Sequence, residues 1–284
     1  MSSQQSGARR PYWHVDAKWV TGLVLVVLLS VTLLLSVFVQ LTAERPAVDA
    51  MSTLLAVSFS RKGLDDESEI VEVRDAIRAS PDGFQPVPGL PMVIREKDIV
   101  GMSPRQMRLF VWRQLAEPLY RGGVAGLAAQ IRDPEMRKAV SEGIGVLGWM
   151  NAGTHRGLQR LLTMLQVACA ILLVPLVVFS YRFGRLGSPG LALLVSSLPG
   201  ALVSGLAQSA LSSHPVVAAP SEQSGITGML GYLAGSLLPA VVPVAWRTYS
   251  GALLAGLGLV ALAVLGNLLW WLLRGIRPRP KDQA

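Results

Sequence analysis

The sequence predicts an all-α integral membrane protein. It has four transmembrane helices, a fifth apolar stretch beside the last of them, and a helical domain inserted between the first and second. Three observations predict this. Over 284 residues the chain is 51% hydrophobic with a mean hydropathy of +0.45, too apolar for a soluble domain. Uncharged apolar runs occupy 19–39, 161–181, 191–211 and 251–273. Each is long enough to cross a hydrocarbon core of about 30 Å at about 1.5 Å per helical residue. From Leu161 to Leu273 the only ionisable side chains besides tyrosine and one cysteine are Arg182, Arg185, His214, Glu222 and Arg247, all of them between runs.

The first run, 19–39, has neither charge nor proline. It exceeds the roughly 7–15 apolar residues of a cleavable signal peptide, and Gln40-Leu41-Thr42-Ala43 makes a weak cleavage site, so it reads as an uncleaved signal anchor. No cysteine follows it, which excludes a lipoprotein. The formal charge of +8 gathers beside the runs: Arg9, Arg10 and Lys18 before the first, Arg182 and Arg185 after the second, Arg274, Arg277, Arg279 and Lys281 after the last. Basic flanks stay in the cytoplasm. Segments 1–18, 182–190 and 274–284 are therefore expected inside, in a multi-pass cell-membrane protein whose residues 40–160 are extracytoplasmic. The insert 41–160 carries 16 basic against 15 acidic residues. A loop this long translocates largely regardless of charge, and being near neutral it lacks the basic, aromatic-rich patch of a nucleic-acid binder.

The insert reads as three to five short helices. In 64–79, Ile70, Val73 and Ile77 recur at helical spacing behind Asp65, Asp66, Glu67 and Glu69. Those acids lack the glycine turn of a calcium loop and read as a solvated helix start. The stretch 80–92 holds Pro81, Gly83, Pro86, Pro88, Gly89 and Pro91, and reads as a linker or an extended recognition segment. Ser103-Pro104 opens a helix with Met107, Val111 and Leu115 on one stripe, broken by Pro118 and ended at Gly122-Gly123. Arg105, Arg108 and Arg113 form its basic edge, either a solvated face or a contact for lipid headgroups or a partner. Segments 123–131 and 133–149 follow as two further helices.

In the C-terminal block, spans 161–181, 191–211 and 251–273 end in aromatics: Trp149, Tyr181, Phe183, Trp246, Tyr249, Trp270 and Trp271. Pro175 and Pro199 lie inside spans as candidate kinks. The outer segment 212–250 contains the fifth stretch, 226–245, with Pro239 and Pro243 near its end. A fifth crossing would place the basic tail outside, so it reads as a re-entrant or interfacial helix. Gly228, Gly231 and Gly235 share one face of it, and Gly200 with Ser204 offers a matching small face on the preceding span. These five residues are the candidate helix-packing or oligomer interface.

Site chemistry is sparse, and no cofactor or metal is expected. Cys169 is the single cysteine and reads as a small apolar residue. The sequence holds no HExxH, no cysteine pair, no GxxxxGK and no GxGxxG. His155 and His214 both fall near one membrane surface, the arrangement a haem or metal membrane protein would use; His14 falls on the other side. No Lys, Arg, Asp or Glu lies within the four spans, which argues against proton-coupled transport. The expectation is a non-enzymatic multi-pass protein whose outer helical domain binds a partner or envelope component; its partners are the bilayer and either another protein or a homo-oligomer, with no nucleic acid. In topology alone, the order of one span, a large outer domain and three spans resembles the permease subunits of the cell-division and macrolide-export class of ABC systems. That resemblance implies a mechanical transmembrane subunit working with an ATPase. The loop at Arg182–Ser188 is shorter than that family's coupling segment.

Overall fold

The computed structural model describes residues 13–59, 68–80, 83–85, 93–129, 131, 134–135, 137–138, 147–180, 184–213 and 226–275. Among them the chain is helical, with no strand and one isolated bridge, Phe84 to Ile94. The helices are α1 (Trp13–Leu41), α2 (Glu44–Phe59), α3 (Ser68–Arg78), α4 (Glu96–Ile99), α5 (Pro104–Ala128), α6 (Ala152–Val178), α7 (Gly184–Ser213) and α8 (Ile226–Gly275). A 3-10 turn, Leu147–Trp149, precedes α6. Four stretches are long and apolar enough to cross a membrane: Lys18–Leu41, Ala152–Val178, Gly184–Ser213 and Leu237–Leu273. The chain thus carries the apolar helices of a multi-pass membrane protein.

The structure divides into two compact units: Met1–Ser36 with Leu162–Gly205 and Ala245–Ala284, and Val37–Leu161 with Leu206–Val244. In the first, Leu25 of α1, Cys169 and Leu176 of α6 and Ala192 of α7 form a buried cluster. Thr32 donates its hydroxyl to the Leu28 carbonyl at 2.7 Å and lies 3.6 Å from the Cys169 sulfur, so Cys169 is a buried packing residue. Helices α7 and α8 run antiparallel, because contacts ascend one as they descend the other. Gly187 meets Ala263, Gly190 meets Leu259 and Gly256, Gly200 meets Tyr249, and Gly205 meets Trp246. Close approach needs glycine here: a Cβ on Gly256 would sit 3.0 Å from both the Gly190 carbonyl oxygen and the Leu194 nitrogen. The serines of α7 return their hydroxyls to their own helix, Ser197 to Leu193 O and Ser204 to Gly200 O, each at 2.6 Å. That satisfies them in an apolar medium.

The second unit has its own core. Ala47, Val48, Met51 and Leu55 of α2 pack on Leu115, Ala116, Leu119 and Tyr120 of α5, with Leu127 and Ile131 closing the cluster. A second cluster joins Ile70 and Ile77 of α3 to Ile94, Ile99, Met107 and Val111. The stripe Ile70, Val73, Ile77 lies where its spacing places it, with Val73 at the margin. Ser103 caps α5 by accepting from the Gln106 amide at 3.3 Å, while Gln106 reaches back to the Ser103 amide at 3.0 Å. Of the turn-rich 80–92 stretch, the described part folds back: Gly83 has φ +108, and Phe84 exchanges two 2.9 Å backbone bonds with Ile94. Asp65, Asp66 and Glu67 fall outside the described residues.

Four boundaries differ from the sequence expectation. Helix α6 begins at Ala152, ahead of the apolar run at 161, because Asn151 caps it by accepting from the Thr154 amide at 2.9 Å. Helix α7 begins at Gly184, inside the expected loop 182–190. Helix α5 continues through Pro118 and turns only at Gly123, whose φ 62 and ψ −170 suit glycine. Last, 226–245 and the run 251–273 lie on one helix: α8 runs unbroken from Ile226 to Gly275. The polar stretch Trp246–Ser250 contains no Gly or Pro before Gly251 to stop the helix, so the chain does not reverse there.

Candidate recognition surface

The kink in α5 shapes an open concavity. Its volume is about 490 Å³, and it is lined by Gln114, Glu117, Pro118, Arg121, Gly122 and Gly126. Local sequence explains its shape. Pro118 has no amide hydrogen, so the Gln114 carbonyl loses its intrahelical donor. At Gly122, Gly123 and Gly126 an added Cβ would meet nothing within 4 Å, so the floor is open.

Its rim is charged. Arg113 reaches Glu117 at 3.2 Å and Asp49 of α2 at 3.6 Å, and Arg121 grips Glu44 of α2 at 3.0 Å. These pairs are exposed, so each contributes little stability. They fix where carboxylate and guanidinium stand. The arrangement offers a carboxylate, a guanidinium, a carboxamide and a backbone carbonyl on one helix face, suited to hydrogen bonding a polar or peptide ligand.

Beside it lies a buried joint. The Tyr120 hydroxyl donates to the Thr42 carbonyl at 2.9 Å, and the Thr42 hydroxyl lies 3.2 Å from His155 Nδ1. Thr42 already gives its hydrogen to the Phe38 carbonyl at 2.8 Å, so Nδ1 of His155 is the donor to it. The joint ties the start of α6 to the end of α1 and to α5. Burial first, and the Glu44 carboxylate second, raise the Tyr120 phenol above its ordinary 10.0. Tyr120→Phe is expected to cost about 1 kcal/mol at neutral pH, as a lost internal hydrogen bond does. A raised folded-state value means Tyr120 contributes stability below pH 10 that fades as alkali ionises the phenol. The gap between wild type and Tyr120→Phe should therefore narrow on titrating upward from pH 10 in denaturant melts.

The residues singled out from sequence are placed as follows. Arg105 and Arg113 are exposed, but Arg108 is buried at 8% exposure. It follows Met107 on the core side of α5, so the three arginines do not form one basic edge. Gly200 faces Tyr249, and the Ser204 hydroxyl returns to the Gly200 carbonyl at 2.6 Å. Gly228, Gly231 and Gly235 lie on continuous helix and keep a common face by its period. His155 is committed to Thr42, and His214 lies outside the described residues. Among the described residues no three His, Cys, Asp or Glu gather as metal ligands. The kinked concavity and the joint were not anticipated, although Pro118 and Gly122-Gly123 were visible signals. No family model, no curated protein and no solved structure matches this chain.

Proposed function

We propose that this is a non-enzymatic multi-pass protein of the cell membrane whose helical unit, 40–160, stands on the extracytoplasmic side and binds a protein partner or envelope component. The membrane helices anchor it, and the face of Gly228, Gly231 and Gly235 serves as an assembly surface. The observation that carries this reading is a separately cored helical unit bearing an open polar concavity at the α5 kink.

In this reading both tails are cytoplasmic and 19–39 is a signal anchor. Helix α8 crosses once. Its 50 residues measure about 75 Å at about 1.5 Å each, more than twice a hydrocarbon core of about 30 Å. Arg247 is exposed and flanked by Trp246 and Tyr249, the side chains of a membrane–water boundary. The crossing is then 251–273, and 226–245 continues beyond it.

The alternative of a mechanical subunit driven by an ATPase gains no support, since only residues 179–183 separate α6 from α7. The test is photo-crosslinking in intact cells from Gln114 and from Gly231, followed by mass spectrometry. The proposal expects one reproducible extracytoplasmic partner from Gln114. A co-purifying cytoplasmic ATPase, with no adduct from Gln114, would replace this reading by the mechanical one.

A further inference from the structure

We propose that Arg156, Gly157 and Arg160 of α6 seat the phosphate of an anionic phospholipid, whose acyl chain lies along the same face of that helix. At about 100° per residue, Arg156 and Arg160 are one turn apart on one face, with Gly157 adjacent to both at its side. Both arginines are exposed. A Cβ on Gly157 would meet nothing within 4 Å, so the helix backbone beside the two arginines is open to a ligand.

Continuing down that face, the same period brings Met164, Val167, Ile171, Val174 and Val178 in turn, 54–67% exposed. The opposite face carries His155, Cys169 and Leu176, which are turned to protein. One side of a single helix therefore presents two guanidiniums above an exposed apolar strip. From Arg160 to Val178 that strip is about 27 Å long, close to the thickness of a hydrocarbon core. The Thr42–His155 bond marks the same level as the end of α1, where its apolar run also stops.

Guanidinium binds phosphate oxygens in a forked, charge-assisted geometry that ammonium does not reproduce. Arg156 donates Nε to the Ala152 carbonyl at 3.2 Å, which holds the side chain along the helix. Basic side chains at this level attract anionic headgroups over zwitterionic ones. An apolar strip alone takes any lipid. The arginine pair and the open glycine beside it supply the selectivity.

The test uses the full chain in mild detergent, stripped of native lipid, with phosphatidylglycerol or phosphatidylcholine added and bound lipid counted by native mass spectrometry. Wild type should retain phosphatidylglycerol about tenfold or more over phosphatidylcholine, from two basic residues near a lipid surface. R156Q/R160Q should lose that preference. G157L, which keeps both charges but fills the seat, should lose most of it. R95Q/K97Q, which removes equal charge from exposed positions on another helix, should keep it. Equal retention of the two lipids by wild type, or an undiminished preference in either R156Q/R160Q or G157L, overturns the proposal.

Discussion

Leu119→Ala is expected to loosen the helical unit 37–161 by about 2–5 kcal/mol while leaving the four apolar helices folded. Leu119 is fully buried between α2 and α5, among Ala47, Val48 and Met51. Truncating it removes apolar contact and leaves a cavity that two packed helices close only in part. The loss would be local, because α2 has no disulfide or metal to hold it and stays helical through that packing. Hydrogen exchange on the full chain reads this directly. Protection should fall about thirtyfold or more in α2 and α5 and stay unchanged in 162–178 of α6 and 245–275 of α8, at roughly 1.4 kcal/mol per tenfold. An equal fall in 162–178 would mean that the units do not carry separate cores.

Gly256→Ala should destabilise the α7–α8 pair by about 1–3 kcal/mol, the range of an overpacked contact. Its new methyl would stand 3.0 Å from the backbone of Gly190 and of Leu194, and backbone cannot swing away as a side-chain tip can. Gly258→Ala, two residues along, meets nothing within 4 Å. There, alanine's better helix propensity should leave stability equal or slightly higher. Thermal aggregation of the two variants in one detergent compares them. Similar loss in both would show that the close approach at Gly190 and Gly256 is not what holds the pair.

Much of the membrane part could be read from sequence because its signal is bulk hydrophobicity. The runs 19–39, 191–211 and 251–273 each lie within a helix of the structure, and 161–181 lies in α6 as far as Val178. What composition hides is where a helix begins once it leaves the apolar band. Asn151 was a visible cap, yet the polar turns with His155, Arg156 and Arg160 read as domain rather than as the start of α6. Helix α2 escaped notice, though Ala47, Val48, Met51 and Leu55 carry its stripe. Attention to long apolar runs passes over a helix whose apolar face is narrow.

Continuity across Trp246–Ser250 was masked by polarity, which resembles a loop but contains no breaker. Arg108 shows a different limit. Spacing places it beside Met107, and only packing decides whether a long stem with a charged tip is covered. The α5 concavity depends on the direction of a kink at Gly123, which no local pattern specifies.

We propose that residues 40–160 stand on the extracytoplasmic side of a membrane and both tails on the cytoplasmic side. Single-cysteine labelling in intact cells tests it most directly. With Cys169, the only cysteine, replaced by alanine, reporters go to Gln114, Ser236, Ser3 and Gln283. A membrane-impermeant maleimide should label Gln114→Cys and Ser236→Cys in intact cells. It should reach Ser3→Cys and Gln283→Cys only after permeabilisation. Labelling of Gln283→Cys in intact cells, or protection of Gln114→Cys until the cells are opened, would contradict the account.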